Sequence, residues 1–266
     1  MISKIVPKVV FMGEKPLGHM CLKDLFKREC KIIAICTRKE CNDLWWGEQK
    51  VRTFAENHGI PLIERRGIIS IRPDIIISVL YPYIIEADII ESAKFCYNLH
   101  LAPLPEYKGC NCGSHALING DKRFGVTLHF MTSNLDNGAI IEKRYFPLSQ
   151  KDTAKSLYEK AVKLGYKVWM DNIDKILKNR VVSTPIIDDG SKPYQRNSLK
   201  KKKIPKINDK ERIYNFVRAL DFEPFEPAYF LDNKGKKIHL KISNFNKNFT
   251  IIDKKLRKKF NKYLGV

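Results

Sequence analysis

Short unbroken apolar runs alternate along the chain with stretches in which apolar residues recur every three or four positions. "KVVFMG" (Lys8 to Gly13), "KIIAICTR" (Lys31 to Arg38), "PDIIISVLY" (Pro73 to Tyr81) and "FCYNLHLA" (Phe95 to Ala102) are runs of the first kind, with the length and composition of buried strands. Between them, "GHMCLKDLFKRE" (Gly18 to Glu29) and residues 49–59, which close on Gly59, have helical spacing, and "PLIE" is a short extended piece. Strands that are apolar on both faces and separated by helices predict an α/β protein with a doubly wound, Rossmann-like, mostly parallel sheet covered on both sides.

Further on, "GSHALINGDK" (Gly113 to Lys122) predicts a short helix and turn, and "GVTLHFMTSNLDNGAIIEKRYFPL" (Gly125 to Leu148) a strand, a turn and a second strand. Val126, Leu128 and Phe130 alternate with Thr127 and His129 as in a half-buried strand. Residues 153–179 form a long amphipathic helix with Asp152 as its expected cap. After Val182 the texture turns rich in Pro, Asp, Gly and Lys, then gives a short helix at "RIYNFVRALDF" and two strands around Asp232 to Gly235. The expected division is a catalytic domain over 1–184 and a small α+β appendage over 185–266 carrying a helix and a β-hairpin.

The chemistry concentrates in "YNLHLAPLPEYKG" (Tyr97 to Gly109). Asn98 and His100 are two apart at the end of an apolar strand and so share one face. Pro103, Pro105 and Gly109 take the chain out of the sheet just beyond them. Polar side chains are thereby placed at a strand's carboxyl end, where open α/β sheets bind ligands. A second polar element, "SNLDNGAI", sets Asp136 before the turn pair Asn137-Gly138.

Charge and cysteine content narrow the classes. No run is long enough to span a membrane, and Ser3, Lys4 and Lys8 interrupt any leader-like core at the start, so the expected location is the cytoplasm. Seven cysteines (Cys21, Cys30, Cys36, Cys41, Cys96, Cys110 and Cys112) is an odd number without a C-x-x-C pair, which argues for reduced thiols and against a zinc site; no metal is expected. "FMGEKPLGH" lacks the full G-x-G-x-x-G fingerprint, which disfavours NAD. The net charge of +20 suits a polyanionic partner, and from Ser191 onward there are 21 Lys and Arg against 7 Asp and Glu. The runs "LKKKKIPK" and "KKLRKKFNK" are not interleaved with aromatics, so a solvated basic face is expected rather than a nucleic-acid surface.

Taken in order, N-x-H with its proline exit, "GVTLHF" and D-x-G resemble the family of formyltransferases that use 10-formyltetrahydrofolate. The matching stretches are Asn98 to Gly109, Gly125 to Ile141 and, more loosely, "SVLYPYII" (Ser78 to Ile85), within a likeness covering roughly residues 8–180. Two positions depart from the usual pattern, Leu101-Ala102 before Pro103 and Lys108 before Gly109. The resemblance implies Asn98, His100 and Asp136 as catalytic residues. It also implies that the loop from Ser78 to Ile85 lies along the pterin, with Ser78, Leu80, Tyr81, Pro82, Tyr83 and Asp136 at the co-substrate.

Within that family, "RIYNFVRALDFEPFEPAYF" (Arg212 to Phe230) resembles the segment that follows the catalytic domain in sugar N-formyltransferases and in the transfer-RNA enzyme. Only 36 residues follow Phe230, too few for a closed five-stranded barrel. The resemblance therefore implies a nucleotide-linked amino sugar as substrate, a dTDP-linked 3- or 4-amino-deoxyhexose for surface polysaccharide. Lys108, Gly109, Tyr194, Arg196 and Phe222 are its candidate contacts, and a homodimer is the expected assembly. Methionyl-tRNA formyltransferase is the alternative, and a non-catalytic nucleic-acid-binding module a further one.

Overall fold

The structure is a computed structural model that describes residues 6–39, 45–48, 50–187, 189–246 and 248–265; Cys41 lies outside them. Its chain contacts divide into two compact units. The first comprises Met1–Lys108, Gly125–Tyr145 and Ala161–Pro193, and the second Gly109–Phe124, Phe146–Lys160 and Tyr194–Val266. The expected single cut after residue 184 follows the change in sequence texture, whereas the contacts gather three separated segments into the second unit.

Among the described residues the main sheet has six strands, β1 (Lys8–Gly13), β2 (Lys31–Cys36), β3 (Ile75–Val79), β4 (Phe95–His100), β5 (Arg123–Phe130) and β6 (Ile140–Pro147). Their order is β2-β1-β3-β4-β5-β6. The first four run parallel and β5 is antiparallel to β4, so the sheet is mostly parallel and Rossmann-like. Val10 and Met12 face one side, clustering with Ala34, Ile76, Cys96, Ile68 and Ile89; Val9 and Phe11, one residue out of phase, are equally buried on the other.

Helix α1 (Lys15–Leu25) follows β1 and α2 (Lys50–Asn57) follows β2. Two short helices absent from the sequence expectation, α3 (Ile68–Ile71) and α4 (Ala87–Glu91), precede β3 and β4. The long helix α6 (Ala154–Leu177), which follows α5 (Cys112–Asn119) in chain order, approaches the sheet closely at Gly165. A β-carbon there would stand 2.9 Å from Leu101 Cδ2 and 3.3 Å from Leu17 Cδ2. Trp169 Nε1 donates to Asp24 on α1 at 2.9 Å, so the largest buried ring also finds its polar partner.

Two expectations are corrected. The cap of α6 is Thr153, whose Oγ1 accepts from Ser156 N while Ser156 Oγ accepts from Thr153 N. Asp152 instead accepts from Ser149 N, Ser156 Oγ and Lys160 Nζ. Strand β5 is buried from Phe124 to His129 rather than half-buried, so that both of its faces are covered.

The second unit packs α7 (Lys210–Ala219), the antiparallel pair β7 (Tyr229–Leu231) and β8 (Lys237–His239), and α8 (Lys254–Leu264) around Ile213, Val217, Phe230, Leu240 and Phe260. Helix α8 was not anticipated, since its lysines dominate the sequence there. Segments from earlier in the chain join this unit: Tyr214 Oη donates to the Gln150 carbonyl, and Arg218 Nη1 to that of Ser149.

Candidate active site

Parallel pairing aligns Met12 with Ser78 and Ser78 with Asn98, and the antiparallel step to β5 sets Asn98 opposite His129. His100, two residues on, faces Thr127 at the carboxyl end of β4. The exit from the strand is fixed by Thr127, whose buried hydroxyl donates to the Ala102 carbonyl at 2.8 Å and accepts from Leu104 N at 3.1 Å. Lys143 Nζ donates to the Leu104 carbonyl at 2.7 Å, holding the same turn from β6.

The turned-back chain brings the Tyr107 carbonyl to 2.9 Å from His100 Nε2. A carbonyl only accepts, so the hydrogen of the neutral ring sits on Nε2. The ring's lone pair is then on Nδ1, which lies 3.8 Å from Asp136 Oδ2. The other carboxylate oxygen, Oδ1, is 3.7 Å from His129 Nε2. Asp136 is itself buried and has a left-handed backbone with φ of 51°, a conformation that Asp adopts more readily than most residues. The expected triplet of Asn98, His100 and Asp136 is thus brought together within one unit, from β4 and the β5–β6 turn.

In the sequence His129 stands only as a polar position in the alternation of β5. It is 1% exposed, its Nδ1 donates to the Phe130 carbonyl at 2.7 Å, and its Nε2 is 3.1 Å from Asn98 Nδ2. Burial pushes the ring down to about 4, aided by His100 and opposed by Asp136. The sequence signal for it is slight: it is a polar residue in an apolar strand, and its partner emerges only from the register of β4 against β5.

The expected pterin loop begins later than assigned. Ser78 is a buried residue of β3, so the loop proper starts at Leu80, with φ of 56°. Tyr81 packs against the apolar cluster under the sheet, and burial raises its phenol to about 12. Tyr83 is exposed, 5.6 Å edge-on from Tyr81 and under the Arg65 guanidinium at 5.5 Å. Pro82 lies between them in this loop.

Lys108 is buried at the end of the first unit's leading segment. Gly109, Tyr194, Arg196 and Phe222 belong to the second unit. There Tyr194 stacks on His115 at 3.8 Å and its carbonyl accepts from Cys110 N, while the Arg196 carbonyl accepts from Asn111 Nδ2. Phe222 packs against Tyr158 and Phe225. Among the described residues no three His, Cys, Asp or Glu side chains are grouped to hold a metal, and no helix is long and apolar enough to cross a membrane.

Residues 65–173, which contain Asn98, His100 and Asp136, match the formyl transferase family. The bifunctional polymyxin resistance protein ArnA of Wigglesworthia glossinidia brevipalpis is 31% identical over 242 residues, 85% of this chain; the chain spans 36% of that protein's length. A methionyl-tRNA formyltransferase of Geobacillus sp. (strain WCH70) is 29% identical over 247 residues, covering 86% of this chain and 76% of its own. Among solved structures, the N-formyltransferase of Helicobacter canadensis, determined in complex with folinic acid and dTDP-3-aminofucose, superposes with a TM-score of 0.70 at 25% identity over 82% of each chain. With its sheet, its N-x-H strand end and its carboxylate turn in this setting, residues 65–173 of the chain are a formyl transferase domain.

Proposed function

We propose that the chain transfers the formyl group of 10-formyltetrahydrofolate to the amino group of a nucleotide-linked amino sugar, a dTDP-linked 3- or 4-amino-deoxyhexose of the kind built into surface polysaccharide. The observation that carries this is the placement of His100 Nδ1 beside Asp136 of the β5–β6 turn, with Asn98 two residues before His100 on the same face of β4. The solved relative holding a dTDP-amino sugar and a folate supports the choice of substrates.

The transfer needs three things of the protein. As the amine attacks the formyl carbon, the carbonyl oxygen gains charge, and an Asn98 N–H donates to it. The nitrogen that has formed the new C–N bond must lose a proton, which His100 takes at Nδ1, where Asp136 stabilises the imidazolium. The folate C–N bond then breaks and its nitrogen receives a proton as tetrahydrofolate leaves. The loop from Leu80 to Ile85 leaves β3 beside this point, and in this reading it carries the pterin of the co-substrate. Within the same reading, Lys108, Gly109, Tyr194, Arg196 and Phe222 are substrate contacts, and the working form is a homodimer.

A transfer-RNA substrate is favoured by a different observation. The two basic runs meet at α8: Lys203 and Lys206 lie 5.9 and 5.3 Å from the Tyr263 ring, and Lys254, Arg257, Lys258 and Lys262 of the same helix line an open hollow. The deciding experiment is release of tetrahydrofolate followed by absorbance, with dTDP- and UDP-linked amino sugars and charged initiator transfer RNA offered in parallel. Turnover with a sugar nucleotide supports the proposal. Turnover with the transfer RNA alone replaces it, and light scattering that gives a monomer mass at micromolar concentration removes the dimer.

A further inference from the structure

We infer that His129 is a positioning residue for the transfer step, one that fixes which end of the Asn98 amide is offered to the developing oxyanion; the inference rests on the formyl-transfer reading of the site. The argument is one of hydrogen ownership. His129 Nδ1 lies 2.7 Å from the Phe130 carbonyl, which can only accept, so the ring's hydrogen is on Nδ1 and Nε2 presents a lone pair. The atom 3.1 Å from that lone pair is Asn98 Nδ2. A flipped amide would set the Asn98 oxygen against it, lone pair to lone pair, inside a site from which water is largely excluded. Nδ2 carries two hydrogens: His129 accepts one, and the other stays on the same nitrogen as the donor for the reaction.

The neutrality of the ring serves a second end. Burial pushes His129 down to about 4, so the lone pair persists through the neutral range. A protonated His129 would present N–H to Asp136 Oδ1 at 3.7 Å and compete for the carboxylate that faces His100. The strand pairing of β4 with β5 makes the arrangement rigid, because Asn98 and His129 are direct cross-strand partners.

The test has one arm that does not depend on turnover. In the full-length protein labelled with ¹⁵N-histidine, the ring spectrum of His129 is assigned by its loss in His129→Gln. The Nδ1–H tautomer is expected at pH 7, with the Nε2 resonance shifted in Asn98→Ala; an Nε2–H tautomer overturns the inference whatever the substrate proves to be. In the kinetic arm, His129→Ala lowers kcat about tenfold to a hundredfold, with KM for both substrates little changed, because an oxyanion donor is misdirected rather than a ligand lost. His129→Gln restores most of kcat, since its amide oxygen can accept from Asn98 Nδ2. A wild-type kcat in His129→Ala, or a Gln variant no better than Ala, overturns the inference as well. Failure of the wild type on every sugar nucleotide would sink the proposed substrate and leave the tautomer measurement standing.

Discussion

The Phe130 carbonyl fills the space that a β-carbon on Gly138 would need, with its carbon 2.7 Å from that position. The turn bearing Asp136 therefore crosses the end of β5 backbone against backbone, and Phe130 N donates to the Ala139 carbonyl at 3.0 Å across the same crossing. Gly138→Ala must push the turn away and carry Asp136 from His100. We expect kcat to fall by at least about tenfold and stability by about 1–3 kcal/mol, read from turnover and urea unfolding of the same preparation. An unchanged kcat in a folded Gly138→Ala protein would show that the close crossing does not position the carboxylate.

Alanine at Asn98, His100 or Asp136 is expected to lower kcat by roughly two to four orders of magnitude while leaving the far-ultraviolet circular dichroism unchanged. The three losses should fall short of additive when combined, because one proton path and one oxyanion serve all three. Full activity in His100→Ala would remove the site from consideration.

Thr127→Val keeps the shape of the side chain but deletes two buried bonds at once, stranding Leu104 N and the Ala102 carbonyl. The expected loss of stability is about 1–3 kcal/mol. Because the same turn delivers the Tyr107 carbonyl to His100, kcat should fall severalfold too. A thermal melt coinciding with wild type would mean that the prolines alone hold the exit.

The parts of this molecule that could be read from residue order are those whose cause is local. Apolar runs such as Ile75 to Val79 announce buried strands, and Asn98 and His100 lie side by side by the period of two alone. Helices α3 and α4, of four and five residues, are too short to show a periodicity. Helix α8 hides its apolar stripe of Leu256, Phe260, Tyr263 and Leu264 among lysines, so charge masks the pattern that packs it. The capping of α6 turned on a one-residue choice between two good caps, Asp152 and Thr153. His129 depends on register between strands some thirty residues apart, which no local pattern records.

Acid should unfold the protein partly through His129. Its folded value of about 4 lies below the model-compound value of 6.5, so between those limits the unfolded chain binds more protons and stability falls as the pH falls. The neighbours that bear on the ring are Asp136, which opposes the depression, and His100, which adds to it. The full effect is on the order of 3 kcal/mol by pH 4. His129→Gln should flatten the curve of unfolding free energy against pH between about 6.5 and 4; parallel curves for the two proteins would contradict the assignment.

Because the second unit is assembled from residues 109–124, 146–160 and 194–266, it is not a cassette that recombination can lift out in one piece. Cutting the chain at the change of texture near residue 184 would remove the partners of two inserted segments, baring His115 where it stacks on Tyr194 in the one and undoing the Gln150–Tyr214 bond in the other. A changed second unit would thus have to be gained by substitutions in place, or by exchanging all three stretches together. Grafting the tail of a relative onto this sheet should give an insoluble product even though each parent folds.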